Sequence, residues 1–62
     1  MKIISVLTWS ASHIAVALVY AGEEADLGNK IGETMLDAGS LAYLGDGSTY
    51  VFDGENWNKL GA

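Results

Sequence analysis

Sixty-two residues, half of them hydrophobic, carry eight acids against three lysines, with no arginine and no cysteine, for a formal charge of −5. That balance excludes the clustered basic patch that nucleic acid and anionic membrane surfaces require, and the lack of cysteine excludes disulfides and thiolate metal sites. A chain this short buries only about 60% of its unfolded surface, and His13 alone makes no His-rich metal site, so oligomerisation or docking on a larger partner is the stabilising device left.

The first element is read from Ile3 to Gly22, a run with no formal charge besides His13. Ile3, Ile4, Val6, Thr8, Ile14, Val16 and Val19 are β-branched, which suits strands. The run is expected to be a β-hairpin over residues 1–20, turning at Ser10–His13. That turn sets Trp9 opposite Ile14, Leu7 opposite Val16, Ser5 opposite Leu18 and Ile3 opposite Tyr20. The other side carries Ile4, Val6 and Thr8 against Val19, Ala17 and Ala15. Both sides are apolar, so one is expected on the protein's own core and the other on a partner, with Trp9 and Tyr20 as interface residues.

Three other readings of this run exist. Val19-Tyr20-Ala21 suits the end of a secretory leader. The length suits a membrane span, but Ser5, Thr8, Ser10, Ser12 and His13 interrupt it at the costliest depth. Ile4, Leu7, Ala11, Ile14 and Leu18 fit a heptad spacing, over too few heptads to lead.

Residues 21–40 are read as an extended, acidic, glycine-rich linker. Gly22, Gly28, Gly32 and Gly39 disfavour a long helix, at about 1 kcal/mol each relative to Ala. One helical turn is expected near Glu33–Asp37. Glu23, Glu24 and Asp26 are expected to meet Lys or Arg of a partner, and the linker to lie along a neighbour as an added edge strand.

Residues 41–60 are read as a three-stranded meander. Asp46-Gly47 suits a two-residue hairpin turn, pairing Leu44 with Thr49, Tyr43 with Tyr50 and Leu41 with Phe52. A second turn at Asp53–Asn56 sets Phe52 opposite Trp57 and Val51 opposite Asn58. One face then collects Leu41, Tyr43, Tyr50, Phe52 and Trp57. These aromatics are either a small core or a ligand platform.

The order strand, Asp-Gly turn, aromatic strand, Asp-Gly and Trp in "AGSLAYLGDGSTYVFDGENWNKL" resembles small structural proteins of tailed bacteriophages, over roughly Leu41 to Leu60. The resemblance implies a virion component without catalytic activity: a capsid decoration (cement) protein, or a small tail or fibre module. It implies a place on the outer surface of the particle, with the host cytoplasm before assembly.

The residues themselves offer little reaction chemistry. Ser10 and Ser12 flank His13, but turn neighbours do not hold catalytic geometry and no glycine elbow surrounds them. Asp46, Asp53 and Glu55 are oxygen donors without EF-hand spacing, and Asp in Asp-Gly turns follows from backbone geometry. No glycine run has a phosphate-binding form.

The expected fold is therefore all-β, an N-terminal hairpin and a C-terminal meander joined by the linker. The expected function is linking shell subunits. The partners are other copies of the chain, with a trimer slightly preferred, and a larger capsid or tail protein. No nucleic acid, membrane, cofactor, metal or catalytic residue is expected. Exposed Tyr50 and Trp57 would favour a carbohydrate- or receptor-binding module instead, and the uncharged run a small single-span membrane protein.

Overall fold

The uncharged N-terminal run folds as a hairpin. The computed structural model describes residues 1–61, and Lys2–Ala11 (β1) pairs antiparallel with Ile14–Ala21 (β2). The turn between them is only Ser12-His13, with His13 at φ 64, a left-handed position that His tolerates better than most residues. This tighter turn corrects the expected register. Trp9 opposes Ala15 rather than Ile14, and Ile3 opposes Val19 rather than Tyr20. Three irregularities, between Ile3 and Ser5, Val6 and Thr8, and Trp9 and Ala11, absorb extra residues of β1. Ser5–Leu18 and Val6–Ala17 are paired as expected.

Residues 21–40 are not a bare extended connection. They form a 3-10 turn, Glu24–Asp26, and then two short strands, Lys30–Ile31 (β3) and Thr34–Leu36 (β4), paired antiparallel. The helical turn expected near Glu33–Asp37 is thus a strand. Gly32, at φ 58, reverses the chain, and β4 then pairs in parallel with the start of β2, Ile14 with Met35 and Ala15 with Leu36. Pairing that buries Leu36 outweighs the weak local preference for helix.

Leu41–Leu44 (β5) runs parallel to the end of β2, from Leu18–Leu41 to Ala21–Leu44. Thr49–Phe52 (β6) and Trp57–Lys59 (β7) follow antiparallel. The result is all-β: one mixed seven-stranded sheet in the order β3-β4-β2-β5-β6-β7, with β1 on the remaining edge of β2. The hairpin and the meander are present, and β2 joins them.

The first meander turn also departs from expectation. The Leu44 amide donates to Ser48 O at 2.9 Å and the Gly47 amide to Leu44 O at 3.0 Å. Gly45-Asp46-Gly47 is therefore a three-residue loop, with Gly47 at φ 92. Leu41 pairs with Val51, Ala42 with Tyr50 and Tyr43 with Thr49, one residue away from the expected pairing. A one-residue shift sends side chains to the opposite face, so Tyr43 and Tyr50 part company. At the second turn Phe52–Trp57 and Val51–Asn58 pair as expected, with ring centroids of Phe52 and Trp57 5.0 Å apart.

The core lies on one face of the sheet. Ala15, Ala17, Val19 and Ala21 of β2, with Leu36, Ala42, Leu44, Tyr50 and Phe52, are buried there. Met1, Ile3, Leu27, Ile31 and Trp57 pack over them. Trp57 Nε1 donates to Gly28 O at 2.9 Å, tying β7 to the covering segment.

Candidate interaction surface

Negative charge and strand are separated in this chain. All eight acids lie in turns and connections, and all three lysines lie in strands. Lys2, Lys30 and Lys59 occupy β1, β3 and β7, the three strands with a free edge. Lysine on edge strands discourages uncontrolled pairing. The strand surfaces are otherwise uncharged.

Two apolar surfaces result. The first is β1, whose one partner is β2. Ile4 is 53% exposed, Leu7 59% and Trp9 56%. The second is the sheet face opposite the core. Cross-ladder neighbours share a face, so Leu18, Leu41 and Val51 form one row and Tyr20, Tyr43 and Thr49 the next. Val16, Leu18, Leu41 and Val51 are half-buried, while Tyr20 and Tyr43 remain 45% and 44% exposed. β2 therefore alternates between buried small residues and larger apolar residues that face outward.

The residues singled out in the sequence are divided between surfaces. Trp9 and Tyr20 are both exposed, as an interface requires, but on different sides of the ribbon, since Trp9 opposes Ala15 and Tyr20 opposes Lys2. Glu23, Glu24 and Asp26 are exposed at the 3-10 turn. Glu24 lies on the core side, close to Tyr50. Burial raises the Tyr50 phenol above its ordinary value, and the Glu24 carboxylate adds to this.

The four aromatics make no single platform. Tyr50 and Phe52 belong to the core, Tyr43 faces outward and Trp57 closes the core edge. The alternation of β2 was visible in the sequence, but the outward row through Leu41 and Val51 depends on the meander register.

A shallow groove of about 390 Å³ does lie on the core side, with Glu24, Leu27, Asn29, Glu55, Asn56 and Trp57 among its walls.

The acids of the turns serve the backbone. Asp46 Oδ1 accepts the Ser48 amide at 2.8 Å. Asp53 Oδ1 accepts the Glu55 and Asn56 amides at 2.8 and 2.7 Å, and Oδ2 accepts Asn58 Nδ2 at 3.1 Å. These bonds hold both carboxyls below the ordinary aspartate value. Ser10 donates to Asp37 Oδ2, which lowers Asp37 likewise. Among the described residues no three His, Cys, Asp or Glu side chains converge to hold a metal.

Residues 3–22 form most of β1 and all of β2 rather than the helix a single span would need. No helix among the described residues is long and apolar enough to cross a membrane. Comparison with protein-family models, with curated proteins and with solved structures finds no match.

Proposed function

We propose that the chain is a non-enzymatic virion structural protein that decorates the outside of a phage capsid and links neighbouring shell subunits. One observation carries the assembly part: β1 is ten residues long, pairs along one edge only, and leaves Ile4, Leu7 and Trp9 more than half exposed. Exposed apolar side chains in this number mark a surface meant to be covered. The virion part rests on the resemblance of Leu41–Leu60 to phage structural proteins.

The manner of attachment follows from the strand. Its three irregularities break the regular ladder of free amides and carbonyls, so a neighbour's strand gains little by pairing there. Attachment works through side-chain burial instead, at roughly 1.5–3 kcal/mol for each large side chain fully covered. Repetition over a lattice multiplies such contacts. Within the acidic segment 21–40, residues 30–31 and 34–36 are bonded into the chain's own sheet, which leaves only the free edge of β3 for a neighbour's strand.

The test is location. Immunogold labelling of particles produced from the encoding genome should show the chain in a regular array on the outer shell. Unlabelled particles, with the chain left free in the lysate, contradict the proposal.

A second reading, a sugar-binding tail or fibre module, is favoured by the groove beside Trp57. Asn29, Asn56, Glu24 and Glu55 offer planar polar groups next to an aromatic ring, a combination that suits saccharides. Saccharide-induced amide shifts at Asn56 and Trp57 would support this reading over capsid decoration.

A further inference from the structure

We infer that two copies of the chain pack face to face through the open side of the sheet, closing a two-layer β-sandwich. The inference rests on the assembly reading above, but it concerns a different surface. β1 attaches to the shell, and the open face joins two copies.

Covering is the first consideration. A sheet with one solvated face normally presents polar side chains to water. Here the middle of the open face presents Val16, Leu18, Tyr20, Leu41, Tyr43 and Val51, with Ser5, Thr8, Thr49 and Asn58 along its flanks. Two such faces at the usual sheet separation of about 10 Å bury these side chains against each other. Tyrosines suit the rim of such a contact, because the ring is covered while the hydroxyl keeps its water.

Size is the second. The molecule measures 33 × 20 × 17 Å along its principal axes. A contact over most of its broad side, 33 by 20 Å, would bury on the order of 1,200 Å² for the pair, at the lower end of stable specific interfaces.

Charge selects the occupant. A chain at −5 repels its own copies unless they meet where carboxylates are absent. Among the described residues no strand contains Asp or Glu, and the charges that the strands place on this face are Lys2 beside Tyr20 and Lys30 beside Met35, on edge strands. The same face on a second copy matches it in size and polarity, and its strands carry no acid; Asp46, in the loop after β5, lines a groove at its rim beside Tyr43 and Lys59. A two-fold contact needs only one self-complementary patch, whereas a three-fold ring needs two different ones. The geometry therefore points to a dimer in place of the expected trimer.

Sedimentation velocity on the full chain tests this. The wild type should run at twice the chain mass at micromolar concentration. Raising salt should tighten the pair, because screening relieves repulsion between the acidic rims. Tyr43→Lys places a charge on an exposed position of the face and should weaken dimerisation by at least about tenfold. Far-UV circular dichroism should stay unchanged. Leu18→Lys, on β2, should act in the same direction.

A folded wild-type monomer at these concentrations overturns the inference, as does a trimer. So does a dimer that survives both face variants and dissociates in Trp9→Ala. A wild-type dimer that fails to attach to particles leaves the sandwich standing and sinks the capsid role. A monomer that still attaches does the reverse.

Discussion

The Ser40 hydroxyl accepts the Ala17 amide at 3.1 Å, across 23 positions of sequence. The bond sits where β2 changes partner. β4 accompanies it through Ala15, and β5 begins at Leu18. The Ala17 amide falls between them, buried, with no strand to accept it. Ser40 Oγ fills that gap and donates to Asp37 O at 2.8 Å. Ser40→Ala leaves a buried donor without its acceptor, at a cost of about 1–3 kcal/mol. A lower urea midpoint with an unchanged slope is the expected result. An unaltered midpoint would show that the gap is filled in another way.

The split among the aromatics predicts opposite outcomes for two variants. Phe52 is buried against Trp57, so Phe52→Ala should cost about 3–5 kcal/mol, a large part of a small domain's stability. Tyr43 is exposed, so Tyr43→Ala should change the stability of the single chain by no more than about 0.5 kcal/mol. Thermal melts of dilute samples decide this. Equal losses would mean that Tyr43 shares the core.

Gly45 is where two backbones meet. Its amide donates to Ala21 O at 3.1 Å, and an added Cβ would stand 2.9 Å from Gly22 O. Gly45→Ala should destabilise by about 1–3 kcal/mol, the range for overpacking. Gly28→Ala meets only the flexible end of Met1 at 4.0 Å and should be tolerated. Denaturant melts of the two variants should differ accordingly, and equal midpoints would contradict this account of Gly45.

Acid should loosen the turns. Asp37, Asp46 and Asp53 have folded-state pKa values below the ordinary 3.8. The unfolded chain then binds protons first as pH falls, so their stabilisation is present above 3.8 and is lost below it. Melting temperature should hold from neutral pH to about pH 4 and then drop. Asp53→Asn keeps an acceptor for the turn but removes the ionisation, so its acid drop should be shallower. A variant that parallels the wild type would remove Asp53 from the explanation.

The hairpin, the meander and the Phe52–Trp57 pair were legible in the sequence, because β-branched density, Asp-Gly turns and strand alternation are local signals. Registers were not. A left-handed His13 shortens one turn, and Gly45 lengthens another, and neither shows in a pattern of apolar residues. The short strands β3 and β4 were hidden for a different reason. Each has too few residues for periodicity, and β4 exists through its parallel pairing with the distant Ile14 and Ala15. The division of interface residues followed from these registers. Trp9 and Tyr20 could be read as exposed, but their placement on opposite sides waited on the bulges of β1.

Release of the chain from purified particles across a salt series, with Trp9→Ala and Glu24→Gln beside the wild type, bears most directly on attachment by apolar burial. Exposed ion pairs contribute only about 0–1 kcal/mol each, so near-molar salt should release a small fraction of the wild type. Glu24→Gln should remain bound. Trp9→Ala, altered at a position 56% exposed, should come off already at low salt. Complete release of the wild type by moderate salt, with Trp9→Ala held as firmly as wild type at low salt, would show that charge rather than the β1 surface keeps the protein in place.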